Sequence, residues 1–376
     1  MNKNISIAII CKDEERVIER CLSAISKDSS MNDEIIVIDT GSTDNTLKIL
    51  STIKNIKIYH FTWDDDFSKA RNFAISKATK DWVFFIDSDE VLVEESLDNL
   101  RNTIEKCMNT ANKKDTIVFS PRVINSDDTV VYNAGRIIPN NNTVEYDGCV
   151  HEYPVTRDKN YNLVALKLSN TIVEHDGYEK VILKNKKKAI RNTKLIKKIL
   201  KKNPDSSRYY YFYFRDAKPL LSEKEYENGM VNFFNKFPND IYANQVAKDL
   251  ANFYIGISEF QNAEKYITML FESADKGNVD DRYLGILLTA INEIQKTKVK
   301  QKELLKLLIY SKENILKDKE VIFDKGYSFD DLIGILFFQL EEYKTAYKIS
   351  KSLDTSKYSS NISEIFSKLI GTIDNT

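Results

Sequence analysis

The sequence predicts an α/β protein, with a doubly wound, Rossmann-like sheet in the first half and an all-α region of loosely repeated helical hairpins behind it. Short apolar, β-rich runs alternate with segments of helical spacing over roughly the first 90 residues, the signature of a sheet wound on both faces. Between residues 116 and 176 the texture shifts to brief β-rich runs split by Asn, Asp and Gly. Beyond residue 177 the pattern is helical almost throughout.

Ile5–Cys11 is a continuous β-rich run, as expected of a parallel strand covered on both faces. It is too short to cross a membrane, and no small-residue cleavage site follows, so it reads as a buried strand and not as a signal peptide. Residues 15–26 place Val17, Ile18, Cys21, Leu22 and Ile25 at helical spacing. Glu34–Asp39 is a second buried strand, and Gly41, Ser42, Thr43 and Asp44 then supply turn chemistry and a helix cap. Residues 57–61 give a third strand, 67–78 a helix, and 82–86 (WVFFI) a fourth strand. The runs 116–120, 129–132, 163–168 and 171–173 read as an antiparallel addition, with loops above the site. Residues 184–202 hold ten Lys or Arg and no acid, with Ile190, Leu195, Ile196, Ile199 and Leu200 on one side; Pro204 ends that helix. This basic helix is read as a solvated face joining the domains, an acidic-peptide or anionic-membrane surface being the alternative. Residues 242–271 and 329–353 echo one another in aromatic-plus-Ala spacing, which suggests degenerate tetratricopeptide-like repeats; plain helical packing is the alternative. The expected domains are 1–183 (catalytic), 184–205 (basic helical linker) and 206–376 (helical).

Composition narrows the function classes. A net charge of −1 leaves no global field for nucleic acid. The four cysteines, Cys11, Cys21, Cys107 and Cys149, form no CxxC pair, which argues against a disulfide framework or zinc finger and fits a reducing cytoplasm. Glycine is scarce, at 11 residues, and no GxxxxGK[ST] loop occurs, which disfavours a P-loop kinase or nucleotidyltransferase.

The chemistry centres on Asp87, Ser88 and Asp89, directly after the fourth strand. Ligands of open α/β sheets bind outside the C-terminal ends of strands, so two carboxylates there can hold Mg²⁺ or Mn²⁺, hard cations that bridge to phosphates. A pair of solvated turn aspartates is the plain alternative. A second acidic run, Asp64 to Asp66, reads as a polar loop and helix cap. Asp39 ends the second strand in the equivalent place and either accepts from a nucleobase or caps the turn into Ser42. Arg71 can pair with phosphate or be a surface arginine; Lys69 is a weaker candidate. His60, inside an apolar strand, reads as structural. His151 and His175 are either polar loop residues or, beside paired aspartates, members of a mixed N/O metal shell, and His175 is favoured for that role.

The segments IAIICKDE (7–14), DTGSTDNT (39–46), FSKARN (67–72) and FFIDSDE (84–90) occur in an order and spacing that resemble family 2 glycosyltransferases. GCVHEYP (148–154), HDGY (175–178), Arg191-Asn192 and YFYFR (211–215) are similar to bacterial enzymes whose GT-A domain precedes tetratricopeptide-like helices, among them the peptide S-glycosyltransferases of glycocin bacteriocins. The resemblance implies a GT-A nucleotide-diphospho-sugar transferase fold and a nucleotide-sugar donor, UDP-linked. Donor contacts would fall at Ile10, Lys12, Glu14, Asp39, Ser42, Lys69, Arg71, Asp87, Ser88 and His151. It implies Mg²⁺ or Mn²⁺ at Asp87, Asp89 and His175. Glu152 would be the general base, with Asp147 in reserve. Lys12-Asp13 departs from the family's common Tyr-Asn or Asn-Asn. The acceptor implied is a peptide or protein, a Cys thiol included, with a lipid-linked or cell-surface glycan as the alternative and an inactive helical scaffold as the rival class. The helical half is expected to recruit the acceptor or to form a homodimer.

Overall fold

The computed structural model describes residues 3–110, 112, 114–132, 135–175, 181–274, 279–314, 326–356 and 358–373. Residues 176–178 of the HDGY segment lie outside the described residues. The chain divides into two compact units, Met1–Leu221 and Ser222–Thr376.

The first unit begins with alternating strands and helices: β1 (Ile5–Cys11), α1 (Ile18–Asp28), β2 (Glu34–Asp39), α2 (Thr46–Leu50), β3 (Ile56–His60), α3 (Phe67–Lys77) and β4 (Trp82–Phe85). β1, β2 and β4 lack alternation because both of their faces are covered. Ile5, Ile7 and Ile9 pack with Ile18, Leu22 and Ile25 of α1 on one side, while Ala8, Ile36, Ile38 and Phe85 pack with Ala74 of α3 on the other. Asp66 caps α3 by accepting from the Lys69 backbone N–H at 3.2 Å, the cap expected of that acidic run.

Then follow β5 (Glu90–Leu92), α4 (Ser96–Thr110), β6 (Asp115–Ile124), β7 (Val130–Val131), β8 (Ile137–Pro139), β9 (Val144–Asp147), β10 (Tyr153–Thr156) and β11 (Asn162–His175). The main sheet runs β3-β2-β1-β4-β8-β6-β11-β5. β3, β2, β1 and β4 are parallel neighbours, and β8 joins antiparallel to β4 and β6. The expected antiparallel addition needs correction at one pair, since β6 and β11 run parallel. The long excursion through β7 to β10 returns the chain to the starting end of β6, as a parallel pairing requires. The expected runs 163–168 and 171–173 are one strand, β11, whose register shifts between Lys167 and Ile172.

The first unit extends past residue 183 and takes in the basic helix α5 (Val181–Lys202) and α6 (Ser207–Ala217), which pack on each other. The second unit comprises α7 (Glu223–Lys236), α8 (Ala243–Gly256), α9 (Phe260–Ala274), α10 (Val279–Asn314), α11 (Tyr327–Gln339), α12 (Tyr343–Thr355) and α13 (Asn361–Ile373). Small residues let paired helices approach: Ala251 and Ala263 are fully buried between α8 and α9, where the Tyr254 and Tyr266 rings stack at 5.7 Å. Among the described residues no helix is long and apolar enough to cross a membrane.

Candidate active site

The C-terminal end of β4 opens into a cavity of about 560 Å³ within the first unit. It gathers Ile10, Glu14, Arg71, Asp87, Ser88, Asp89, His151 and Glu152, all anticipated from sequence. Lys12 lines a smaller adjoining pocket with Ile10 and Glu14. Asp39 and Ser42 stand apart from the large cavity. Asp39 is 2% exposed and accepts from the backbone N–H groups of Gly41 and Ser42 at 3.1 Å, with His60 Nδ1 at 3.3 Å. Burial would raise its carboxyl, but these donors outweigh burial and hold it below the usual range. Ser42 Oγ accepts from the Asp13 backbone N–H at 3.0 Å. His60 is mostly exposed, with Asp39 as its partner. Lys69 pairs with Asp64 at the surface, and exposed Asp147 accepts from the Gly148 N–H at 2.8 Å.

Asp87 and Asp89 lie two residues apart in different surroundings. Asp87 Oδ2 accepts from Arg136 Nη2 at 2.7 Å, and Arg71 Nη2 lies 3.8 Å from Oδ1. Asp89 Oδ2 instead faces His175 Nε2 at 3.3 Å, and that contact raises the imidazole above its ordinary value. Among the described residues no three His, Cys, Asp or Glu side chains form a metal-sized cluster. Arg136, which sequence reading missed, is the electrostatic centre. It is 7% exposed and donates through Nη1 to both oxygens of buried Glu90, at 2.7 and 2.6 Å. Burial opposes its charge, but Asp87 and Glu90 outweigh that and keep it protonated.

Arg71 reaches the cavity from α3 over the faces of Phe85 and Tyr146, 4.8 and 5.3 Å from their centroids. Its Nε donates to Glu152 Oε1 at 2.7 Å. Glu152 is aimed by the loop between β9 and β10. There Gly148 has φ +100°, and a Cβ would meet Tyr209 Oη at 2.6 Å, so glycine alone suits the turn. His151 takes the left-handed region, φ 54°, a strained choice for a non-glycine. α5 and α6 hold it there. His151 Nε2 lies 2.6 Å from Asp216 Oδ2, Asn192 Nδ2 donates to the same oxygen at 2.9 Å, and the ring stacks on Phe212 at 4.3 Å. Burial would raise the Asp216 carboxyl, but His151, Arg215 and Asn192 bring it down to about 2. Lys188, Arg191, Arg208 and Arg215 from the same two helices add positive charge to the cavity wall.

The cavity thus sits at the C-terminal end of β4, lined by the Asp-Ser-Asp turn and by arginines. Residues 6–185 match the family model described as Glycosyl transferase family 2. Over 239 residues the chain is 30% identical to the glycosyltransferase SunS of Bacillus subtilis (strain 168), a match covering 62% of this chain and 54% of that protein. The chain thus spans about half the length of that relative. It is also 43% identical over 102 residues to a TPR repeat-containing protein of Synechococcus elongatus, covering 27% of this chain and 24% of that one. Among solved structures, residues 1–349 of S. aureus TarS are similar with a TM-score of 0.39 at 14% identity, covering 80% of this chain and 92% of that one.

Proposed function

We propose that the chain is an inverting hexosyltransferase that moves a sugar from a UDP-linked donor to a peptide or protein acceptor, a Cys thiol included. The observation that carries this reading is the convergence of Asp87, Ser88, Asp89, Arg71 and Glu152 on one cavity. Its volume lies within the range of roughly 300–1,000 Å³ typical of small-molecule sites.

Asp89 and His175 offer a carboxylate beside an imidazole, a mixed donor set that suits Mg²⁺ or Mn²⁺ with the remaining positions left to phosphate and water. An ion held there would supply Lewis-acid stabilisation of the leaving diphosphate. Asp87 is already balanced by Arg136, so it is assigned to the nucleotide and not to the metal, with Ser88 beside it. As the glycosidic bond breaks, charge gathers on the diphosphate, and Arg71 and Arg191 present fixed positive charge to it without reorganisation. Glu152, held in place by its hydrogen bond from Arg71 Nε, takes the acceptor's proton as the acceptor attacks the anomeric carbon from the face opposite the leaving group. A thiol, with an ordinary pKa of about 8.5, needs less help than a hydroxyl. The peptide acceptor rests on the GCVHEYP and YFYFR segments and the similarity to SunS; a glycan acceptor is the second outcome. A reducing cytoplasm would keep such a thiol free. Peptide recruitment is assigned to the helical unit.

The test is mass spectrometry of the purified chain with UDP-sugars, divalent metal, and peptide or glycan acceptors. Asp89→Ala should lower turnover by about 10²–10³-fold or more with the circular dichroism spectrum unchanged. Full activity of Asp89→Ala in EDTA would remove the metal assignment. UDP or Mn²⁺ bound away from residues 87–89 in a crystal would overturn the whole reading.

A further inference from the structure

α5 carries a line of cations whose inner end already lies in the cavity. Lys188 and Arg191 line the cavity wall. Steps of three and four residues lead from them to Lys194, Lys198 and Lys201, so these side chains are neighbours on one side of the helix. All five are exposed. At 1.5 Å per residue the line is about 20 Å long, with a charge at roughly every 4.5–6 Å. The other side of the helix, with Ala189, Leu195 and Ile196, is buried, which turns the line outward. Residues 184–202 contain no acid, so α5 offers the line no counter-charge of its own.

Among the described residues, none of Lys188, Arg191, Lys194 and Lys201 has a carboxylate within ion-pair distance. Arg191 donates from Nε and Nη2 to the neutral amide oxygen of Asn192, at 3.2 and 3.1 Å. Lys198 shows what the line accepts: it donates to Asp65 Oδ2 at 2.9 Å, and it holds that carboxyl below its ordinary value, with Lys194 adding to the pull. Both partners are about half exposed, at 56% and 46%, and such a pair is weak enough to exchange for another carboxylate. The other acids of that loop are engaged, since Asp64 pairs with Lys69 and Asp66 caps α3.

Geometry separates the anions that such a line can hold. A bilayer is flat and cannot follow the cations into a cavity. A helix that lies on a membrane also turns its apolar face to the lipid, whereas the apolar side of α5 is buried in the protein. The donor's diphosphate is assigned to Arg71 and Arg191, and Lys201 lies about 15 Å along the helix from Arg191, beyond its reach. A narrow chain with repeated single charges fits. In an extended peptide an acid at every second residue recurs at roughly 6.5–7 Å, within the span of flexible lysines.

We propose that the acceptor is an acidic peptide segment. The residue to be modified enters the cavity, while Asp or Glu side chains within about six residues of it lie along Lys194, Lys198 and Lys201 and displace Asp65. This deepens the proposed function and takes from it only that the acceptor is a peptide. The contact lies in the first unit, beside the reacting residue, and is separate from recruitment by the helical unit.

The probes are a short fluorescein-labelled peptide with a central Cys flanked by glutamates, and the same peptide with glutamines or lysines in their place. Fluorescence anisotropy with the full chain should show the Glu peptide binding about tenfold more tightly than the Gln peptide at low salt, a difference that fades as ionic strength rises. Lys194→Glu with Lys198→Glu and Lys201→Glu should abolish that preference and favour the Lys peptide, with melting and UDP affinity unchanged because all three positions are exposed and lie outside the cavity lining. Lys194→Arg with Lys198→Arg and Lys201→Arg should keep the preference. Asp65→Asn, which releases Lys198, should tighten the Glu peptide by a few-fold. Equal binding of the Glu and Gln peptides, or a Glu preference that survives the charge reversal, would overturn the proposal. Binding of the chain to phosphatidylserine vesicles with the Glu peptide left unbound would reassign the line to a lipid surface and overturn it too. A Glu peptide that binds through these lysines but accepts no sugar would instead count against transfer to peptides and leave the docking line standing.

Discussion

Arg136→Met tests whether a buried ion pair organises the cavity at the end of β4. The substitution keeps most of the apolar stem and removes the guanidinium that bridges Glu90 and Asp87. The two carboxylates respond differently. Asp87 is 45% exposed, so water and salt screen its loss and it contributes little. Glu90 is 1% exposed and is left as an unpaired charge in the core, a change that costs about 3–5 kcal/mol. At roughly 2–4 °C per kcal/mol for a unit of this size, the midpoint should fall by about 6–20 °C. Both tryptophans, Trp63 and Trp82, lie in the first unit, so their fluorescence reports that unit's unfolding. The pH dependence has a definite sign. Burial, followed by Asp87, already pushes the Glu90 carboxyl upward against the pull of Arg136, and without Arg136 the Asp87 backbone N–H, 2.9 Å from Oε2, is left to oppose that push. A carboxyl raised on folding adds stability below its unfolded value and loses it as pH rises through the folded value. The variant's deficit should therefore shrink as the pH is lowered from about 8 to about 5. Adding Glu90→Gln should recover stability in the Arg136→Met background while costing stability in the wild type. A deficit under about 1 kcal/mol, or a larger one that neither acid nor Glu90→Gln repairs, would refute the reasoning.

Three further outcomes are expected. Glu152→Gln should lower kcat by about 10²–10⁴-fold at saturating acceptor while donor binding by calorimetry stays near wild type; an unchanged kcat would exclude Glu152 as the base. Asp216→Asn should cost roughly 2 kcal/mol of the first unit's stability at neutral pH, because the Asp216 carboxyl is held down at about 2. A carboxyl lowered on folding gives stability above its unfolded value and loses it as pH falls toward the folded one, so denaturant melts of wild type and variant should converge between about pH 4 and about pH 2. Gly148→Ala should destabilise by about 1–3 kcal/mol, and Tyr209→Phe should relieve part of that by removing the oxygen the new Cβ would meet; a neutral Gly148→Ala in the same fluorescence melt would contradict the turn argument.

Much of the first unit was legible because its cause is local. β1, β2 and β4 are unbroken apolar runs, since both faces of a parallel sheet are dry, and Asp87 to Asp89 follow β4 where such sheets bind ligands. What the sequence concealed is non-local. Arg136 sits in a turn-rich stretch with no periodicity, and its partners Glu90 and Asp87 lie more than 40 residues away. One signal was available: Arg136 immediately precedes the apolar pair Ile137-Ile138, and a charge entering a central strand needs a buried partner. The parallel pairing of β6 and β11 was hidden for the same reason, because the sign of a pairing depends on where a long excursion returns. Strand-end position at Asp39 left a base contact and a turn cap open, and the Gly41 and Ser42 amides that follow it form the cap.

The Asp87–Asp89 triplet shows why spacing alone underdetermines a site. Two carboxylates on one turn repel, and a nearby positive group relieves that repulsion. Arg136 removes that conflict for Asp87, and because it is clamped by Glu90 beneath it, it cannot swing toward Asp89. Asp89 is thus left facing His175, which comes from β11, a strand late in the chain that pairs with β5 immediately after the triplet. The β5–β11 pairing aligns His175 with Glu90, so the same register that buries Glu90 under Arg136 also delivers the imidazole to Asp89. The division of roles within the triplet is in this sense a property of the sheet. A register slip of one residue at β11 would turn His175 to the other face of the strand and leave Asp89 without its neighbour, while the DSD sequence itself stayed intact.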